Sequence, residues 1–236
     1  CLFEGNFANR SGGVGFIEEG NLTFNNCTFA SNSSGGNGGV FFVSYTGGAA
    51  VTANNCIFWN NTAGSSGDDV YLSGVGTAGG TFIYGHTDIN PYNIVHGGNG
   101  GTTATDTGGC FSANPHFAET GYASGDTWIE GDYHLKSMAG RFAPVLGGFA
   151  WVTDTIHSPC IDAGDPSESA SDEPLPNGEI LNIGFYGGTA EASKSPYCAQ
   201  ALTADLDGDC RVDFIDFAIF AGQWLECGIE PYEFCW

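Results

Sequence analysis

From residue 1 to about residue 80 the apolar positions alternate with polar ones, and Gly, Asn and Ser interrupt the alternation at regular intervals. Short stretches such as Cys27-Thr-Phe29 and Val40-Phe-Phe-Val43 read as β-strands, and the polar clusters between them read as turns. The stretches recur as units: Cys1-Leu-Phe3-Glu-Gly-Asn6, Cys27-Thr-Phe29-Ala-Ser-Asn32 and Cys56-Ile-Phe58-Trp-Asn-Asn61, at intervals of 26 and 29 residues. Each Asn is followed eight or nine residues later by Gly12-Gly-Val14, Gly38-Gly-Val40 or Gly67-Asp-Asp-Val70. A fixed period of this size marks units that bury their apolar side chains only by stacking on their neighbours. In-register stacking places equivalent residues about 4.8 Å apart, so Phe3, Phe29 and Phe58 are expected to form an interior aromatic ladder. Asn6, Asn32 and Asn61 are expected at a corner, bonding amide to amide and tolerating left-handed backbone. The three cysteines should form a buried column of small hydrophobes, since parallel side chains aim alike and suit a disulfide poorly.

Cys-x-Phe-x-x-Asn followed by Gly-Gly-Val resembles the repeats of right-handed parallel β-helix proteins of the polymorphic outer-membrane and pectate-lyase-like kind. The resemblance implies an all-β fold: a parallel β-helix (solenoid) over residues 1–90, then a loop-rich closing region over 91–195. The period fades from about residue 80. Three later stretches, Gly109-Cys-Phe-Ser-Ala-Asn-Pro-His-Phe117, Gly131-Asp-Tyr-His-Leu135, and Ser158-Pro-Cys-Ile-Asp-Ala-Gly-Asp165 with Ile183-Gly-Phe-Tyr-Gly-Gly188, look like the closing region that follows β-helix repeats in planctomycete-type secreted proteins. The last coil of a solenoid exposes an apolar face and open strand edges. Phe117, Tyr133, Phe142, Trp151, Phe185 and Tyr186 are expected to cover them.

Residues 196–236 read as a third, small module. Asp205-Leu-Asp-Gly-Asp-Cys-Arg-Val-Asp-Phe-Ile-Asp216 carries carboxylates at positions 1, 3, 5, 9 and 12 of a twelve-residue loop that opens onto an apolar helix pattern. Calcium takes six to eight oxygens at about 2.3–2.6 Å, and Asp205, Asp207, Asp209, the Arg211 carbonyl, Asp213 and Asp216 can supply them. Cys210 stands where Gly makes the sharp turn of the general loop, and Asp216 replaces its bidentate Glu. The stretch looks like one half of a bacterial type I dockerin, whose loops end in Asp and lead into a helix. A complete dockerin has two halves and binds a cohesin; one half is visible here. The helix expected over 213–226 sets Phe214, Phe217, Ala218, Ala221, Trp224 and Leu225 on one stripe. At roughly 20 Å it separates Cys210 from Cys227, which leaves Cys210 with Cys235 and Cys198 with Cys227 as open pairings.

A net charge of −22, with 5 Lys and Arg against 27 Asp and Glu, argues against nucleic acid or anionic lipid as partner. No apolar run approaches the roughly 20 residues needed to span a bilayer. Nine cysteines in an acidic chain suggest an oxidising exterior, hence a secreted or surface protein. The repeat already under way at Cys1 suggests that further coils and any signal peptide lie upstream. His86, His96, His116, His134 and His157 lack metal-ligand spacing. Arg10, Lys136 and Arg141 are the cations available to a lyase base, and no catalytic residue is assigned. The expected function is a structural and interaction module with a calcium-dependent tail that docks a protein partner, and with a polysaccharide as the other expected partner. The alternative is a polysaccharide lyase or glycoside hydrolase whose groove lies on the coils, upstream of this segment.

Overall fold

Backbone hydrogen bonding in the first 111 residues runs chiefly between repeats rather than within them. This is the organising fact of the computed structural model, which describes residues 1–196, 203–204, 206, 212 and 214–222. The chain divides into two units, Cys1–Pro196 and Tyr197–Trp236. The first repeat supplies β1 (Leu2–Glu4), β2 (Phe7–Ala8) and β3 (Gly15–Ile17). The second supplies β4 (Asn21–Asn25), β5 (Thr28–Ala30), β6 (Ser33–Ser34) and β7 (Phe41–Val43), and the third β8 (Ala50–Asn54), β9 (Ile57–Trp59), β10 (Thr62–Ala63) and β11 (Val70–Val75). After β12 (Ala78–Gly79), the strands β13 (Thr81–Gly85), β14 (Ile94–Gly98) and β15 (Thr103–Asp106) continue the pattern. Four sheets of parallel neighbours result, β1-β5-β9, β2-β6-β10, β3-β7-β11-β14 and β4-β8-β13-β15, with the short β12 folded back antiparallel on β11. The fold is all-β.

The register is that of the repeat. Phe3 pairs with Phe29 and Phe29 with Phe58, and their rings stack at 5.0 and 4.7 Å between centroids. Phe29 is completely buried, which contributes roughly 1.5–3 kcal/mol. Asn6 Nδ2 donates to Asn32 Oδ1 at 2.8 Å, and Asn32 Nδ2 to Asn61 Oδ1 at 3.1 Å. The left-handed conformation lies one residue before each of these, at Gly5, Ser31 and Asn60. That frees the Asn side chain to point inward along the stack. A second corner precedes the cysteines: Asn26, Asn55, His86 and Gly109 have positive φ. The residue after each bonds the carbonyl two positions back: Cys27 Sγ to Asn25 at 3.2 Å, Cys56 Sγ to Asn54 at 3.1 Å, Thr87 Oγ1 to Gly85 at 2.8 Å. The cysteine column is therefore a row of weak hydrogen-bond donors tying the corner. The five described cysteines, Cys1, Cys27, Cys56, Cys110 and Cys160, are free thiols. The four for which bridges are expected lie outside the described residues.

The parallel stack extends past the point where the repeat fades from view. Ile57 bridges to Asp88 and Asp88 to Phe111, so Gly85-His-Thr-Asp88 and Gly108-Gly-Cys-Phe111 are further copies of the same corner. Gly13 and Gly39 are required by close approach, since a Cβ on either would stand 2.1 Å from the carbonyl oxygen of Gly39 or Asp68 in the next repeat.

The chain then forms three antiparallel pairs: β16 (Phe117–Glu119), β17 (Tyr122–Ser124), β18 (Thr127–Ile129), β19 (Asp132–Leu135), β20 (Arg141–Val145) and β21 (Gly148–Val152), joined as β16-β19, β17-β18 and β20-β21. Phe117, Tyr133 and Leu135 build a second core with Ala30, Ile57, Cys160 and Ile183. Phe117 and Tyr133 thus lie on the outward side of the β1-β5-β9 sheet, where Thr28, Ala30, Ile57 and Trp59 point, rather than over the last coil as expected, and Phe142 and Trp151 pack on each other in β20-β21. In the second unit the described secondary structure is α1 (Phe214–Gly222).

The Asn column ends on a carboxylate. Asp69, fully buried, accepts from Asn61 Nδ2 at 2.9 Å and from Asn93 Nδ2 at 3.0 Å. Burial pushes its pKa up to about 7, against the opposing pull of the two amides. A carboxyl whose folded pKa lies above the unfolded value stabilises fully below the unfolded pKa near 4 and loses that contribution as pH rises through about 7. Denaturant unfolding of the wild type and Asp69→Asn between pH 5 and 8 should therefore show the variant gaining on the wild type, by on the order of a few kcal/mol, as pH rises. Parallel pH profiles would contradict the assignment.

Candidate functional site

Trp59 closes β9 and leaves the sheet on the same side as Ile57, because alternate residues of a strand share a face. The chain turns away from the stack after Phe111 and lays residues 114–120 beside it. A cleft of about 540 Å³ results, lined by Trp59, Asn114, His116, Glu119, Thr120 and Lys136 among others. Its walls are fixed by backbone bonds. His116 takes a left-handed φ of 49°, its N–H donates to Asn114 Oδ1 at 2.9 Å, and its carbonyl accepts from the Lys136 N–H at 2.9 Å. Glu119 ends β16, and Lys136 follows β19 directly. An indole, a carboxylate, an imidazole and an ammonium thus border one polar groove, a set suited to stacking on a sugar ring while bonding its hydroxyls.

Lys136 has few rivals as a free cation. Arg141 is held by Asp154 through Nε at 3.1 Å and Nη2 at 3.3 Å, and by Asp132 through Nη1 at 3.3 Å. Lys194 lies over the Trp151 ring, 4.4 Å from its centroid. The Arg141 network continues from Asp132 Oδ1 to His134 Nδ1 at 2.6 Å, and the His134 ring stacks on Tyr186 at 3.5 Å. Burial alone would raise the Asp132 pKa, but the bonds from His134 and the charges of His134 and Arg141 outweigh it, and the carboxyl sits below its usual range. An Asp-His pair is also half of a nucleophilic triad. Here the other ring nitrogen, Nε2, is buried without a hydrogen-bond partner, with Glu191 Oε2 3.7 Å away. Among the described residues no hydroxyl or thiol meets it. The network joins β19, β20 and the 186–191 loop.

Carboxylates displaced upward in pKa also lie away from the cleft. Burial raises Asp88 to about 6, where it accepts from the Ala113 N–H at 2.9 Å and takes the Cys160 thiol at 3.4 Å. An outward aromatic row, Phe16, Phe42 and Tyr71, stacks at 4.5 and 5.3 Å. Phe42 lies between the other two rings, and Phe16 at the end of the row is 51 % exposed.

Of the expected calcium ligands, Asp205, Asp207, Asp209, Arg211 and Asp213 lie outside the described residues. Asp216 is described: it sits in the first turn of α1, is buried, and accepts the Leu206 N–H at 2.6 Å through Oδ1. The twelfth position of the loop is thereby tied to the second. Helix α1 covers Phe214–Gly222 of the expected 213–226. Phe214 and Phe217 are exposed, and Leu206, Val212, Asp216, Phe217 and Phe220 border an apolar cavity of about 350 Å³ within this unit.

Sequence reasoning did not find Trp59. The signal was the apolar run Ile57-Phe58-Trp59, which breaks the alternation and marks a strand buried on both sides.

A family model described as disaggregatase related matches residues 81–164. The matched segment runs from β13 past β21 and contains His116, Glu119, Lys136 and the Asp132–His134–Arg141–Asp154 network, but not Trp59 or the three clear repeats. No curated protein and no solved structure matches the chain at a significant level.

The two basic groups separate by role. Arg141→Met leaves Asp154 without its cation and Asp132 with His134 alone, and should cost about 3 kcal/mol in denaturant unfolding. Lys136→Met should cost less than about 0.5 kcal/mol. Equal costs would mean that Lys136 is also a structural residue.

Proposed function

We propose that this chain is a glycan-binding structural module of a secreted or cell-surface protein. Its four parallel sheets are read as the faces of a right-handed parallel β-helix, and its C-terminal segment as a dockerin-like, calcium-ordered tail. The observation that carries the reading is the Trp59 cleft, where an aromatic ring, amide and hydroxyl groups and both signs of charge line one groove on a rigid scaffold. The segment matched as disaggregatase related supplies most of the cleft's lining, though not Trp59, and its name speaks of an activity rather than of binding. A polysaccharide is the ligand class that the aromatic ring and the mixed polar lining fit.

A second reading, a polysaccharide lyase or glycoside hydrolase, is favoured by Glu119, His116 and Lys136 sharing that cleft. Hydrolysis uses two carboxylates on either side of the bond, and among the described lining residues Glu119 is the sole carboxylate. That ranks binding above cleavage.

In the tail, Asp205, Asp207, Asp209, Arg211, Asp213 and Asp216 are proposed to hold one calcium ion. Binding neutralises carboxylates that otherwise repel, so order in the tail should follow the ion. Docking to a protein partner would then be calcium-dependent, with the apolar face of α1 as the surface presented.

Affinity electrophoresis through gels containing soluble polysaccharides should show retardation by at least one of them, lost in Trp59→Ala and reduced in Glu119→Gln. Unretarded migration in every gel would reject the glycan reading, and release of new reducing or unsaturated ends would move the assignment to the enzyme. For the tail, calorimetric calcium titration of the full chain should lose one bound ion in Asp205→Ala and in Asp216→Ala; unchanged stoichiometry in both would remove the tail site.

A further inference from the structure

Residues 142–152, Phe-Ala-Pro-Val-Leu-Gly-Gly-Phe-Ala-Trp-Val, carry no charged side chain in a chain with 27 Asp and Glu. The indole nitrogen of Trp151 is the sole polar side-chain atom among them. An uncharged run of this kind is ordinarily core. Here it forms the β20-β21 hairpin, whose pairing runs from Arg141 with Val152 to Val145 with Gly148 and leaves Leu146-Gly147 as the turn. Leu146 at the apex is completely exposed, Phe149 is 66 % exposed, and Val145 is exposed beside them. A Cβ on Gly147 or Gly148 would meet nothing within 4 Å, so the tip stands clear of the rest of the described chain.

The hairpin is held out rigidly. At its base Arg141 binds Asp154 through Nε at 3.1 Å and Asp132 through Nη1 at 3.3 Å. The Asp154 N–H donates to the Ser137 carbonyl at 2.8 Å, and Ala143 is buried. Higher up, Phe149 stacks on Phe142 at 5.0 Å, and Trp151 meets the same ring edge-on at 5.5 Å. The Lys194 ammonium lies 4.4 Å from the Trp151 centroid. From apex to base the order is therefore aliphatic, Phe, then Trp with a cation.

That order matches the polarity gradient of a bilayer surface. Leu146 lies two residues beyond the Pro144–Phe149 pair and four beyond the Phe142–Trp151 pair, or roughly 7 and 13 Å at about 3.3 Å per residue. Apolar groups of interfacial elements sink about 5–10 Å below the headgroups, which takes in Leu146, Val145, Pro144 and Phe149. Trp151 then falls at headgroup level, where indole rings and snorkelling Lys side chains are at home. A protein partner would need a pocket for a convex tip that offers no side-chain hydrogen bond to orient it. Pro144 also removes an N–H from β20, which discourages an added strand there. A fluid apolar layer demands neither pocket nor ladder. The net charge of −22 selects the surface, since anionic headgroups repel such a chain.

We propose that the β20-β21 hairpin inserts its Pro144–Phe149 tip into the interface of a zwitterionic lipid bilayer, seating the protein on a membrane without spanning it. No described helix is long and apolar enough to cross one. The inference is independent of the Trp59 cleft and of calcium in the tail.

The test is flotation of the full chain with phosphatidylcholine vesicles in the presence of chelator. The wild type should rise with the vesicles, and Leu146→Asp and Phe149→Asp should each lower the bound fraction at least about tenfold. Leu146→Ile, equally apolar, should bind as the wild type does. Replacing part of the lipid with anionic phosphatidylserine should weaken binding. Both acidic substitutions fall on exposed side chains, so the fold is not at stake. Failure of the wild type to float, or flotation that survives both Asp variants, overturns the proposal. Self-association in sedimentation that Leu146→Asp abolishes, without lipid binding, overturns it in favour of a second copy of the chain. Stronger binding to the anionic vesicles overturns the assignment to a zwitterionic surface.

Discussion

Parallel in-register pairing is the constraint on which the rest of the first unit depends. Once Phe3, Phe29 and Phe58 share a register, every other residue of the repeat is brought opposite its own equivalent. Groups that gain from meeting their like, such as stacked rings or amides that donate and accept, are favoured along the stack. Groups that lose by it, such as charges, are pushed to the corners. In a chain with 27 acidic residues this filter is severe. It explains why the strands of the four sheets are nearly free of carboxylates, and why the inward one, Asp69, stands where two amides meet it.

The second constraint is that the β1-β5-β9 sheet has two apolar sides. The inner side is closed by the aromatic ladder. The outer side would be a strip of exposed Ile57, Ala30 and Trp59, and the 117–196 segment exists physically to cover it. The cleft is a by-product of that covering. Trp59 is the residue that the cover does not completely reach, and His116, Glu119 and Lys136 stand along the cover's edge. Scaffold and site therefore rest on the same packing.

The repeat could be read from sequence because ladders demand near-identity: Phe over Phe, Asn over Asn. The later turns of the same stack could not, because their corners substitute within physical equivalence. Thr87 replaces cysteine as the hydrogen-bond donor, and His86 and Gly109 replace Asn as the left-handed residue. The eye follows letters where the fold follows φ and a donor. The position of the covering segment was equally hidden, since Phe117, Tyr133 and Tyr186 carry an apolar signal but no address. The cleft, assembled from residues 59, 114–120 and 136, joins segments that no local pattern connects. The acidic loop at 205–216 rests on spacing alone, with Asp216 the one side chain of the set that the structure describes.

The Asn column has a direction. Each amide nitrogen in it points to the oxygen of the next, from Asn6 through Asn32 and Asn61, until Asp69 receives the last donor and Asn93 fills its other oxygen. Once ionised, the Asp69 carboxylate has nothing to donate, so the relay stops there. The same unit added on the Asn6 side would find an oxygen waiting, while one inserted beyond Asp69 would find no donor. Extension of the amide column by duplication is thereby polar, like a chain of magnets with a keeper at one pole, while the parallel sheets themselves run on past it.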